Sequence, residues 1–323
     1  MRESSLAGSL AAVDGGSHTE RMRILDWAAV LSFLAPVGTS HRPTPAGRVA
    51  TLPPAHVVEI VGLDYAFQVP STLPAGRTTF RFVNRGKVAH ELNVSLLKRE
   101  VTVQQFMAAV NADMPRAPLR EAPVGIVFAK PGERAAAALS TELLPGRTYV
   151  VICINQDTPK AKPHSAMGMY AAITVSRAPE VPPTVPPATA RRARPEPADT
   201  IVATDYAFIR APRTLAPGHH RFAFANRGSF RHEVNMFVLK PGVTLLQALD
   251  VQKAGGDVGA LIESPIGVLH SPAGTAPLGV LEVDLLPGRD YTMICSFTND
   301  AKSPSHVMLG MLGSIHVTGS RSQ

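Results

Sequence analysis

Eight residues of the types that bind soft and borderline metals stand in two matching sets. The first is His90, Cys153, His164 and Met169, and the second is His232, Cys295, His306 and Met311. Each member of the second set lies 142 positions after its counterpart, so both read His–x62–Cys–x10–His–x4–Met. The chain's two cysteines both belong to these sets, as do four of its eleven histidines. A thiolate with two imidazoles suits copper held in a trigonal plane, and a thioether suits a weak axial position that tunes the potential. Met167 and Met308 are nearby but not equivalent to each other, so the x4 spacing selects Met169 and Met311. The remaining seven histidines have no matching histidine in the other set and read as surface or core residues. The plainer alternative is that cysteine and methionine are ordinary core side chains, duplicated with everything around them. A Cys153–Cys295 disulfide would require two equivalent positions to meet within about 7 Å, so both thiols are expected to be free.

These ligand sets are carried by an internal repeat, which organises most of the 323 residues. The segment Leu73–Lys98 returns as Leu215–Lys240, and Leu143–Cys153 returns as Leu285–Cys295. Asp64-Tyr65-Ala66-Phe67 matches Asp205-Tyr206-Ala207-Phe208 with a one-residue slip. Thr78–Val83 and Arg221–Ala225 alternate with the period of a half-buried strand. Glu91–Leu97, Tyr149–Ile154 and Ala171–Val175 read as further short strands, with Leu-Pro and Gly elements as turns between them. One helix interrupts each copy, at Val103–Ala112 and Leu245–Lys253. Thr102 with Gln105, and Thr244 with Gln247, have the spacing of a capping box. Short strands at regular intervals over about 120 residues predict an antiparallel sandwich in each repeat.

The expected organisation is an N-terminal segment 1–54, a first domain 55–176, a linker 177–198, a second domain 199–318 and a short tail 319–323. The linker has seven prolines in 22 residues. It reads as a semi-rigid spacer able to separate the domains by roughly 60–70 Å at about 3.1 Å per residue, or to let them fold back together. Within 22–40, Arg23 precedes the apolar stretch Ile24–Val37 and the small residues Gly38-Thr39-Ser40, as in an export signal starting near Met22. A packed amphipathic helix is the alternative there. No apolar run reaches the roughly 18–20 residues of a membrane-spanning helix.

The net charge of +7 raises the question of a nucleic-acid partner. Residues 55–176 carry 13 Lys/Arg against 9 Asp/Glu, net +4, and residues 199–318 carry 9 against 10, net −1. Neither has a dense basic stripe with interleaved aromatics, so the excess reads as solvated charge and linker arginines rather than a nucleic-acid surface.

Each repeat resembles a cupredoxin, the type 1 blue-copper family of plastocyanin and azurin. The resemblance runs from Phe82–His90 and Phe224–His232, through Tyr149–Cys153 and Tyr291–Cys295, to the final His and Gly-Met pair. It implies an all-β fold of two tandem Greek-key sandwiches, each with one short inserted helix. It also implies copper at up to two sites and single-electron exchange with a redox partner protein in the periplasm or outside the cell. By the same analogy His164 and His306 would be the exposed-edge ligands. Enzymes of this fold add further copper on His-x-His pairs. None occurs here, and the cysteines are flanked by Ile152 and Ile154 and by Ile294 and Ser296, so catalysis is not expected. Glu91 and Glu233 follow the first histidine, either supporting the site or facing solvent from a strand. A copper carrier without redox turnover and a copper-free interaction module remain as alternatives.

Overall fold

The computed structural model describes residues 55–177 and 199–319, apart from 113, 159, 255, 276, 277 and 301. The expected export signal at 22–40 and nearly all of the proline-rich linker lie outside the described residues.

The first repeat opens with β1 (His56–Leu63), β2 (Ala66–Gln68), β3 (Thr72–Leu73), β4 (Gly76–Asn84) and β5 (His90–Leu97). Helix α1 (Val103–Asn111) follows, then β6 (Arg120–Ala129), β7 (Ala137–Leu143), β8 (Thr148–Ile152) and β9 (Tyr170–Val175). The second repeat runs in the same order, from β10 (Asp199–Thr204), β11 (Ala207–Arg210), β12 (Thr214–Leu215) and β13 (Gly218–Asn226) to β14 (His232–Leu239). It continues through α2 (Leu245–Lys253), β15 (Ile262–Ser271), β16 (Gly279–Leu285), β17 (Asp290–Ile294) and β18 (Leu312–Val317). The described residues are thus mostly β.

Alternation within each strand sends one set of side chains into the core. In β4, Phe80 and Phe82 are buried while Arg81 between them is exposed. Phe222 and Phe224 of β13 are buried likewise, with the small Ala223 between them buried too. Each such side chain taken from water contributes on the order of 1.5–3 kcal/mol. Both helices start on the expected capping boxes. Helix α1 buries Phe106 and Met107 against Leu97, Val150 and Ile152, on the outer side of β5 and β8.

Two features depart from the sequence expectation. The sheets are mixed rather than antiparallel: β1 pairs with β4, and β3 with β9, in parallel, and the second repeat does the same. Between β1 and β4 the chain visits the opposite sheet at β3, and such a crossover lets a later strand return parallel. The repeats also share their sheets. One sheet has the order β11-β10-β13-β16-β7-β4-β1-β2, and the other β12-β18-β17-β14-β15-β6-β5-β8-β9-β3. The joints are β16 on β7 and β15 on β6, both antiparallel. Of the two placements open to the linker, the folded-back one is therefore the one found.

Candidate metal centre

The first histidine of each set opens a strand, and its approach is pinned by an asparagine. Asn84 Nδ2 donates to the carbonyls of Val88 (2.7 Å) and Ala129 (3.1 Å), while its Oδ1 accepts from Gly86 N (2.8 Å). Asn226 makes the same three bonds, to Phe230, Ser271 and Gly228. A Cβ on Gly86 would lie 2.9 Å from His90 Nε2 and 2.5 Å from Asp64 Oδ1. The glycine of the Asn-Arg-Gly repeat is therefore required by close approach to the ligand.

The other ligands bracket a loop that folds back on itself. Cys153 lies just beyond β8; its N–H donates to Met169 O (3.1 Å) and its carbonyl accepts from Ser165 N (2.7 Å). His164 begins a short 3₁₀ turn, His164–Met167, and Met169 N donates to His164 O (2.9 Å). The second repeat reproduces this with Cys295, Val307, Met311 and the turn His306–Leu309. All eight expected ligands are fully buried. Met167 and Met308 stand at 39% and 38% exposure instead.

Three of the four expected donors converge in each repeat. His90 Nδ1 lies 3.0 Å from His164 Nδ1, and Cys153 Sγ lies 3.8 and 3.4 Å from those two nitrogens. The corresponding distances among His232, His306 and Cys295 are 3.0, 3.8 and 3.4 Å. In the second repeat the far nitrogens are occupied by acceptors: His232 Nε2 meets Asp205 Oδ1 at 3.1 Å and His306 Nε2 meets Asn299 Oδ1 at 2.9 Å. Each Nε2 must then carry the proton, which leaves two Nδ1 lone pairs facing each other beside a sulfur. A bound cation would satisfy both lone pairs and the sulfur at once, and a thiolate with two imidazoles is the donor set of a type 1 copper site. The residues present fit such a metal. Among the described residues these are the two groups of three such donors close enough to share one ion.

Burial keeps both metal-free thiols protonated. It pushes the Cys153 thiol up to about 12 and Cys295 up to about 11. It lowers the pKa of His90 and His306, and the partner imidazole adds to the effect in each case. Both cysteines are free. Each sulfur accepts from the backbone N–H of the residue after the first histidine, Glu91 or Glu233, at 3.4 Å.

The solvent-facing option for Glu91 and Glu233 is excluded, since both are buried. Glu91 Oε1 accepts from Ile154 N (3.3 Å) and from Asn93 Nδ2 (3.4 Å). Glu233 Oε1 accepts from Ser296 N (3.1 Å) and from the Ser296 hydroxyl. Each carboxyl thus fastens the residue after the cysteine to the strand of the first histidine. Burial raises both acids, Glu91 to about 7.

The expected exposed edge of His164 and His306 is not found. His164 Nε2 is capped by Asp157 Oδ1 at 3.0 Å, and Asp157 Oδ2 accepts from the Tyr65 hydroxyl at 2.7 Å. That hydrogen bond, with the one from His164, holds the Asp157 carboxyl below its usual range. In the second repeat Asn299 takes this place, donating through Nδ2 to the Tyr206 hydroxyl at 2.7 Å. Tyr65 and Tyr206 both sit at φ 64°, a conformation uncommon for a bulky side chain and often found at functional sites. Each ring stands edge-on to the second histidine with centroids 5.1 Å apart. Sequence reading missed the roles of Asp64, Tyr65, Asp157 and their counterparts. The repeated Asp-Tyr-Ala-Phe was the available signal, whereas Asp157 and Asn299 differ between copies and gave none.

No protein-family model and no curated protein matches the chain. Solved structures similar to it include the dithionite-reduced auracyanin of Roseiflexus castenholzii, 23% identical, covering 39% of this chain and 98% of that one at TM-score 0.27. Auracyanin A of Chloroflexus aurantiacus, a "blue" copper protein, is 21% identical and covers 38% and 100% at TM-score 0.26. The copper nitrite reductase of Nitrosomonas europaea is 13% identical and covers 82% and 94% at TM-score 0.21. These neighbours are blue copper proteins and copper enzymes.

Proposed function

We propose that the chain is an exported electron-transfer protein with one type 1 copper site in each of two cupredoxin-like Greek-key units, 55–176 and 199–318. His90, Cys153 and His164 would hold the first ion, and His232, Cys295 and His306 the second. Met169 and Met311, buried beside them, would each offer a thioether sulfur. The observation that carries this reading is the convergence of two imidazole Nδ1 atoms and a buried thiol in both repeats, with the far nitrogens of His164, His232 and His306 tied up. Copper supplies the one-electron chemistry when bound. The chain's own residues supply a dry, prearranged cage whose backbone N–H and glutamate clamps limit reorganisation. Half-exposed Met167 and Tyr170, and Met308 and Leu312 in the second repeat, offer an apolar rim beside each site for a redox partner protein. No histidine flanks either cysteine to lead to a further copper, which supports electron transfer over catalysis.

One observation favours a second reading, a copper carrier without turnover: the edges of His164 and His306 are capped rather than open. Copper titration of the chain followed by visible absorption tests both. An intense thiolate-to-Cu(II) band, saturating at two equivalents and halved by Cys153→Ser or Cys295→Ser, supports the type 1 sites. Tight Cu(I) binding without reversible oxidation would favour the carrier. Copper binding indifferent to both substitutions would remove either reading.

A further inference from the structure

The two centres share their inner donors but not the charges behind them. Asp157, at the back of His164, is replaced at the equivalent position by the neutral Asn299 at the back of His306. The supporting tyrosine is retained in both, and only its hydrogen bond reverses: Tyr65 donates to Asp157, whereas Tyr206 accepts from Asn299. The carboxylate behind the first histidine is present in both repeats, Asp64 at 3.8 Å from His90 Nε2 and Asp205 at 3.1 Å from His232 Nε2. It therefore does not distinguish them by count. A second difference lies beside His232. Arg231 places its guanidinium 4.3 Å over the ring of Phe297, whose carbonyl accepts from His306 N. The equivalent positions in the first repeat are Ala89 and Asn155.

Both differences act in one direction. The first site faces two carboxylates, and the second faces one carboxylate and a nearby cation. Negative charge behind an imidazole raises its basicity and favours the higher oxidation state of the metal, while a neighbouring cation disfavours it. We propose that Asp157 and Arg231 make the two centres unequal, the first being the low-potential site and the second the high-potential site, with Asp157 as the positioning residue that sets most of the gap. This rests on the copper reading above. With copper at both sites, a single electron held by the chain would reside preferentially at the second. The duplicated chain would then have a built-in direction for that electron.

The test uses the full chain loaded with copper, in Cys295→Ser to report the first site and Cys153→Ser to report the second. Potentiometric titration of the thiolate-to-Cu(II) band is expected to show a Cu(II)/Cu(I) ratio at least tenfold larger at the first site at a given applied potential, a midpoint gap of about 59 mV for one electron. Asp157→Asn, which recreates the amide arrangement already present around Tyr206, should raise the first site's potential towards the second. Asn299→Asp should lower the second towards the first. Equal or reversed midpoints with intact bands, or midpoints unmoved by the Asp157 and Asn299 exchanges, would overturn the inference and leave the copper reading standing. Absence of the band from both single-cysteine variants would overturn both.

Discussion

Leu139 and Leu281 occupy the same position in the two repeats, 142 residues apart, and they are direct partners across the joint between β7 and β16. Ile126 and Val268, another equivalent pair, face each other across β6 and β15. A residue that pairs with its own counterpart lies on a local two-fold axis, so the repeats meet as the subunits of a symmetric dimer do. Ser140 and Glu282, also equivalent, bond to each other at 2.6 Å beside this axis. The two candidate centres are thereby carried on one shared pair of sheets.

The joint depends on backbone approaching backbone at Gly279, where a Cβ would run into the carbonyl oxygen of Val124. Gly279→Ala is expected to destabilise the chain by about 1–3 kcal/mol, the usual cost of overpacking. Urea unfolding should show this in the whole transition, because the sheets are shared. Loss of one repeat with the other unchanged would mean that the joint does not couple them.

Copper uptake should release protons. The buried thiols stay protonated well above neutral pH, at about 12 and about 11, and the metal binds thiolate. His90 and His306, with lowered pKa values, do not compete for protons near neutrality. Conditional affinity should therefore rise about tenfold per pH unit per site between pH 7 and 9. Calorimetry in buffers of different ionisation enthalpy would count the protons, with about one per site expected.

Glu91 should make the metal-free chain less stable as pH rises. Its folded pKa of about 7 lies above the ordinary 4.5, so between these values the unfolded chain gives up a proton that the folded chain keeps. Stability is then lost across pH 4.5 to 7, with a slope of up to about 1.4 kcal/mol per unit for one group. Glu91→Gln keeps an acceptor for Ile154 N and removes this term. The difference in Tm between wild type and variant should grow in the variant's favour over that window, and a constant difference would contradict it.

Asn84→Ala removes three hydrogen bonds from the turn that delivers His90. A loss of about 1 kcal/mol per bond should appear as lower stability and weaker metal binding at the first site. Asn226 still holds the second, so titration should retain one tight equivalent and weaken the other.

Much of the centre was legible in the chain itself. A duplicated set of ligand-type residues at constant offset is a local signal, and so are the capping boxes at Thr102 and Thr244 and the alternation in Thr78–Val83. Each depends on neighbours a few positions away or on comparison of one copy with the other. Strands β6 and β7 carry the joint, and it has no local signature because their partners across it, β15 and β16, lie more than a hundred residues distant. The meeting of Leu139 with Leu281 belongs to the same class, while the burial of Glu91 and the capping of His164 by Asp157, seven residues away, depend on how the surrounding segments and the loop fold. Side-chain surroundings and charge behind a ligand are set by which segments the fold brings together. The identities and order of the candidate ligands could be read from the sequence, while the convergence of His90, Cys153 and His164 and the unequal charges behind the two centres were decided only by tertiary packing.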